Sequence, residues 1–173
     1  AITNMNMATV YEDQDDFEKA LEYYNKALTI RLDVLEENHP DVGRSYFNIG
    51  SVYDSKGEDD TTLEYFAKSL SIKRKAYGED HPSVAVTYNN MGSAYKGQGE
   101  FEKALEYHTK ALNMQIGIVY DDAGQTNQAL EYYKKALDIE LQVHGDSHPA
   151  VASLLRLLTW VTFTVKRGTL KVL

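Results

Sequence analysis

The sequence predicts an all-α chain built as a solenoid of helix-turn-helix repeats, with one irregular junction around residues 110–123 and a divergent C-terminal segment. Three observations carry this. The segments "YEDQDDFEKALEYYNKAL" from Tyr11, "YDSKGEDDTTLEYFAKSL" from Tyr53 and "YKGQGEFEKALEYHTKAL" from Tyr95 each begin 42 residues after the one before. Inside a copy the period is helical: Ile49, Val52 and Tyr53, then Leu63, Phe66, Leu70 and Lys73, fall at spacings of three and four with a turn between. Small residues recur at fixed points of both helices, which lets paired backbones approach closely.

The first helix of each unit carries its small residue as Ala8, Gly50, Gly92 and Gly117, with Tyr11, Tyr53, Tyr95 and Tyr120 filling the gap beside it. The turn after it is marked by Gly57, Gly99 and Gly124, since glycine tolerates the left-handed stop of a helix. The second helix has two small positions, Ala20, Thr62, Ala104 and Ala129, then Ala27, Ser69, Ala111 and Ala136. A linker closes each unit with "ENHPDV", "EDHPSV" or "DSHPAV". These place His39-Pro40, His81-Pro82 and His148-Pro149 at a helix start, where proline is tolerated. A histidine repeated in every unit is read as capping or bracing the linker.

The fourth copy, "YDDAGQTNQALEYYKKAL", begins at Tyr120, only 25 residues after Tyr95, so 17 residues of the 42 are absent. The lost piece is the end of a second helix, the His-Pro linker and the start of the next first helix. "KALNMQ" therefore runs into "IGIVYDDAG" with no proline, and a lone Gly117 costs about 1 kcal/mol in a helix without necessarily breaking it. One fused helix is predicted from about Phe101 to Asp122. The last helix, about Gln125 to Val143, then cannot stack in the usual place. It folds back along the rod or reaches to a second molecule, a low-cost route to dimers; the alternative is a kink at Gly117 with the fourth copy packing locally. The copies span about 1–38, 39–80, 81–116 and 117–148.

Beyond them, "SLLRLLTWVTFTVKRGTLKVL" departs from the repeat. A helix from about Pro149 to Val165 is expected, with a hairpin in "TWVTFTV-KRG-TLKVL" as the alternative. Either way, apolar surface at that end favours self-association. A possible reading is thus a homodimer through residues 101–122 and the C-terminal segment.

The small, aromatic and small positions resemble the tetratricopeptide repeat, and the 42-residue length, the His-Pro linker and "YNNMGSAY" resemble the long repeats of the kinesin light chain family, over about residues 1–149. That resemblance implies a right-handed superhelix whose first helices line a concave groove, and a non-enzymatic scaffold that holds a protein or peptide segment there. It implies groove positions at Met5, Thr9 and Glu12, at Phe47, Ser51 and Asp54, and at Asn89, Ser93 and Lys96, with Asn6, Asn48 and Asn90 one step along. Asparagine donates to and accepts from a peptide backbone, so these three either hold an extended ligand or satisfy neighbouring helix carbonyls. Relatives that grip a terminal carboxylate use lysine, arginine and asparagine where this chain has Met, Thr, Phe and Ser. Acidic cargo wants basic groove residues, for which Arg44 and Lys96 are the candidates. Glu12, Asp13, Asp54, Asp121 and Asp122 crowd the turn end, so the charges favour a neutral or basic ligand. Two further readings stand beside the scaffold: a self-associating, domain-swapped structural module, and a fragment of a larger motor or signalling adaptor.

Composition narrows the rest. Net charge is −8, against the concentrated basic face that a nucleic-acid backbone needs. No cysteine is present, which excludes disulfides and thiolate chemistry and suits a cytoplasmic, reducing location. "AITNMNMATVYEDQ" lacks the pattern of a signal peptide, and the apolar stretch 150–165 carries Arg156 and threonines, so no membrane contact is expected. His144 and His148 flank a glycine turn with no recurring third ligand, so no metal is expected, nor any cofactor. His108 replaces Tyr24, Phe66 and Tyr133 and reads as a packed imidazole. Neither nucleophile elbows nor phosphate-cradling loops occur, and an enzyme is not expected.

Overall fold

The computed structural model describes residues 1–79, 81–122 and 126–144, together with 155, 158 and 159. Among these residues the regular elements are helices: α1 (Ile2–Glu12), α2 (Phe17–Val34), α3 (Pro40–Ser55), α4 (Asp59–Tyr77), α5 (Pro82–Gly97), α6 (Phe101–Asp122) and α7 (Thr126–His144). Each packs against the next in sequence, as a repeat array requires. Gly124, the linker His148-Pro149, the pair His144 and His148 with its metal reading, and the helix-or-hairpin question over 150–173 lie outside the described residues or side chains.

Turn and linker follow the repeat. Gly57 and Gly99 adopt φ of 73° and 77°, and Asp15 takes the same left-handed conformation at φ 57° in the first copy, where a side chain makes it costlier. His39 and His81 are the N-caps of α3 and α5. Each ring accepts through Nδ1 from a backbone amide two residues on, Asp41 at 3.1 Å and Ser83 at 3.2 Å, with proline in the first helical position. The bracing role read from the sequence is thus a hydrogen bond to an amide that the helix start leaves without an intrahelical acceptor.

The small residues do what close packing demands. Ala8, Gly50, Gly92 and Gly117 are all buried, as are Ala20, Thr62 and Ala104 in the second helices, and Ala27, Ser69, Ala111 and Ala136 one step along. A β-carbon on Gly50 would meet the Phe66 ring at 2.8 Å, and one on Gly92 would meet His108 at 3.0 Å. Aromatic pairs repeat with the same period. Tyr11 stacks on Tyr23 and Tyr53 on Tyr65, both with centroids 5.5 Å apart, and Tyr95 meets Tyr107 at 5.1 Å.

Two cations sit inside the joints. Arg31, at the end of α2, donates to the Asp41 carbonyl at 3.0 Å and to Ser45 Oγ at 2.6 Å, both in α3. Lys73 makes the equivalent bonds from α4 to α5, reaching Thr87 Oγ1 at 2.9 Å and the Ser83 carbonyl at 3.5 Å, and its ammonium lies 3.9 Å from the centre of the Phe47 ring. Both side chains are buried, and burial pulls both below their ordinary pKa, Lys73 to about 8. Each ties the first turn of one unit to the last turn of the unit before.

The junction is one helix. α6 runs as one helix through Gly117, over the span the sequence predicted. Its second half still behaves as a first helix. A β-carbon on Gly117 would meet Tyr133 of α7 at 2.6 Å, the same contact that Gly50 makes with Phe66 and Gly92 with His108, each 16 residues on. So α7 folds back along α6 of its own chain. Gly117, Asn113, Lys110 and Glu106 form one helical stripe by their spacing, and the first three are buried. Lys110 is 1% exposed, its ammonium 4.9 Å from the Tyr88 and Tyr107 rings, whereas its counterparts Lys26 and Lys68 are on the surface.

Gly117→Ala tests this fit. Helix propensity alone would favour alanine by about 1 kcal/mol. The new methyl, however, meets the edge of a buried ring that has no room to retreat, and overpacking of that kind costs about 1–3 kcal/mol. A net loss of about 1 kcal/mol is expected in urea unfolding, recovered when Tyr133→Leu is added. A more stable single variant would show that α7 does not press on Gly117.

Candidate interaction surface

The face of α1, α3 and α5 that the sequence selects is organised in rows 42 residues apart. The hydroxyl row lies along the helices: Thr9, Ser51 and Ser93 each donate to the carbonyl four residues back, at 3.1, 3.1 and 3.4 Å. With each hydroxyl proton committed to its own helix the row offers acceptors rather than donors, and Thr9 Oγ1 also lies 3.2 Å from the Tyr24 hydroxyl.

The row of Met5, Phe47 and Asn89 is turned partly towards the second helix of its own unit. The Met5 sulfur accepts from Arg31 Nη1 at 3.5 Å. Phe47 packs on Phe66 with centroids 5.3 Å apart. The Asn89 Oδ1 lies 3.0 Å from His108 Nδ1, which explains why an imidazole stands at 108: it packs on Gly92 and bonds to α5. These residues form the floor of the face.

Glu12 is also engaged, accepting at 2.7 Å from the hydroxyl of buried Tyr24, whose pKa burial raises to about 12. Arg44 pairs with Asp41 at 2.8 Å on the surface. That bond is exposed and contributes little to stability. It also gives Arg44 an acidic partner of its own.

What remains outward is Asn6, Asn48 and Asn90, with Asp54 and Lys96 towards the turn end; Asn48 and Asn90 are half-buried and Asn6 is exposed. The Asp54 carboxyl is held above its ordinary pKa, first by desolvation and then by Asp59. Beside them an open depression of about 350 Å3 is lined by Gly57, Glu58, Asp59, Asp60, Thr61 and Gln98. The side chains of Asp121 and Asp122 lie outside those described.

The sequence reading missed two recurring features. Lysines stand over tyrosines throughout: Lys26 over Tyr23 at 4.8 Å, Lys68 over Tyr65 at 5.1 Å, Lys110 over Tyr107 at 4.9 Å and Lys135 over Tyr132 at 4.3 Å. Polar ties also join neighbouring units at the turn end, Lys56 to Glu18 at 3.1 Å and Gln98 to Asp60 at 2.6 Å, again 42 residues apart. Both were visible as conserved spacing within the chain, Lys three residues after Tyr in every copy, had charge been tracked along with size.

Among the described residues no group of three or more metal-ligating side chains gathers, and no helix is long and apolar enough to cross a membrane.

Comparison with known proteins agrees with this architecture. The tetratricopeptide repeat family matches residues 1–61, 55–116 and 111–167. Among solved structures, the nearly identical TPR-like repeats attributed to a kinesin light chain of Podosopora anserina superpose with TM-score 0.55 at 19% identity, covering 96% of this chain and 89% of that one. BtubC (BKLC) from P. vanneervenii superposes with TM-score 0.54 at 24% identity, covering 92% of this chain and 70% of that one. At such identities the likeness is one of fold. No curated protein sequence matches significantly. With repeats matched along most of its length, the chain belongs to the tetratricopeptide repeat family, whose repeats make it a non-enzymatic scaffold for protein–protein interaction.

Proposed function

We propose that the chain holds an extended protein segment, neutral or basic, along the face formed by α1, α3 and α5. The observation that carries this reading is the asparagine row Asn6, Asn48 and Asn90 beside the acceptor row Thr9, Ser51 and Ser93, both at the 42-residue period. A regular ladder of amide groups and oxygens matches the donors and acceptors of a peptide backbone and reads little of its sequence. Met5 and Phe47 supply a half-buried floor that the exposed Asn89 continues, while Glu12, Asp54 and Lys96 edge the ladder. Charge sets the preference. Desolvation first and the neighbouring Asp59 carboxylate second raise the Asp54 pKa, so a ligand cation near the pair is favoured where a further carboxylate adds repulsion.

Fluorescence anisotropy with paired lysine-rich and glutamate-rich peptides tests this. The basic peptide binds, and its affinity falls as salt rises. Asn48→Ala and Asn90→Ala each weaken it by about fivefold, the worth of roughly one hydrogen bond. Preference for the acidic peptide, or unchanged affinity in both alanine variants, would end the proposal.

A further inference from the structure

Loss of the linker and half a first helix leaves a specific face of α6 bare. In the first unit, Leu21 and Leu28 of α2 are 7% and 9% exposed, in one apolar cluster with Ile49 and Val52 of the following first helix, α3. The counterparts of Leu21 and Leu28 on α6 are Leu105 and Leu112, and they are 69% and 54% exposed. α7 leaves both exposed, meeting α6 at Gly117 through Tyr133 instead. Phe101, one turn before Leu105, is bare as well. The bare face is therefore the seat of a first helix, shaped like the two seats that are filled elsewhere in the same chain.

The complementary face lies at the other end. In α3, Ser45, Ile49 and Val52 are fully buried, Ser45 against Arg31 of α2; in α5, Thr87, Met91 and Ala94 are buried alike, Thr87 against Lys73 of α4. Their counterparts on α1 are Thr3, Met7 and Val10, all exposed, Val10 by 49%. Polar partners match too. Lys56 bonds Glu18 and Gln98 bonds Asp60 across the filled joints, and the same positions on the two open faces are Gln14 after α1 and Glu102 on α6. Where Arg31 reaches Ser45, the open pair is Gln115 and Thr3.

We infer that α1 of one copy seats on the Phe101–Leu112 face of α6 in a second copy, so that the chain associates head to tail through the joint it already uses internally. The occupant is chosen by register: apolar residues oppose apolar ones, Gln14 meets the Glu102 carboxylate as Gln98 meets Asp60, and the Gln115 amide stands as donor where Arg31 and Lys73 stand in the filled joints. The contact is heterologous, so an uncapped face remains after every addition, and assembly extends beyond the dimer.

Sedimentation of the full chain, followed over concentration, tests this. Weight-average mass should climb from the 19.6 kDa monomer past the dimer. Val10→Glu and Leu112→Glu each place a carboxylate on one of the two faces at a site exposed in the monomer, so circular dichroism should show unchanged helix content. Each variant alone should stay monomeric, with association weakened about tenfold or more. Mixed in equal amounts, they should form a dimer that stops there, since the intact α1 of Leu112→Glu meets the intact α6 of Val10→Glu. A monomer at every concentration, a closed dimer of the unmodified chain, or a mixture that stays monomeric would each overturn the inference.

Discussion

Phe66→Ala should lower folding stability by about 3–5 kcal/mol, the cost of emptying a fully buried aromatic site. Phe66 is 0% exposed and stands where two units meet. On one side its ring edge lies against Gly50 and its face against Phe47 of α3. On the other it shares a cluster with Val84, Ala85, Tyr88 and Met91 of α5. Stability of a repeat array is a sum of unit terms and nearest-neighbour joints, so one truncation here weakens its own unit and a joint together. Gly50 makes matters worse, because it has no side chain with which to fill the void. Urea unfolding followed by circular dichroism should show the full loss, while Val34→Ala, at a site 71% exposed, stays within about 0.5 kcal/mol. A loss under about 1 kcal/mol at Phe66 would mean that the helices close over the gap, and that the small-residue positions do not fix the spacing.

The fold was legible because its signals are local and repeated. A glycine or alanine at one place in four helices has few explanations besides close approach, and the buried Ala8, Gly50, Gly92 and Gly117 bear that out. The fused helix was legible from a count: 17 missing residues took the proline with them, and nothing left in "KALNMQIGIVYDD" stops a helix. The surface was less legible, because burial around a groove depends on which second-helix residue answers each first-helix residue. Met5, Phe47 and Asn89 share a repeat position, yet they meet Arg31, Phe66 and His108 respectively, so one row serves three kinds of contact. Lys73 was grouped with the apolar stripe by its spacing, and its spacing was right: the side chain is buried there as an ammonium. What periodicity could not supply is that the charge is carried into the joint.

That charge gives the second large effect. The Lys73 pKa is about 8 in the folded chain against 10.5 when exposed, purely through desolvation. Below pH 8 both states hold the proton and the folded state bears the whole burial cost, about 3 kcal/mol for a shift of this size. Between pH 8 and 10 the folded state sheds the proton while the unfolded state keeps it, so stability rises with pH. Above pH 10 the buried Tyr24, raised to about 12, opposes the trend: the unfolded tyrosine ionises first, and folding loses ground. Lys73→Met removes the first contribution and leaves the second. Relative to the variant, the unmodified chain should therefore gain about 2–3 kcal/mol between pH 7 and pH 10, read from urea unfolding at both values. Arg31→Met serves as the internal comparison. Its guanidinium occupies the equivalent joint, reaching Ser45 as Lys73 reaches Thr87, but it stays charged throughout this range, so its difference from the unmodified chain should be flat with pH. Parallel pH profiles for Lys73→Met and the unmodified chain would show that water reaches the ammonium, and that the joint between the second and third units is looser than its hydrogen bonds to Ser83 and Thr87 imply.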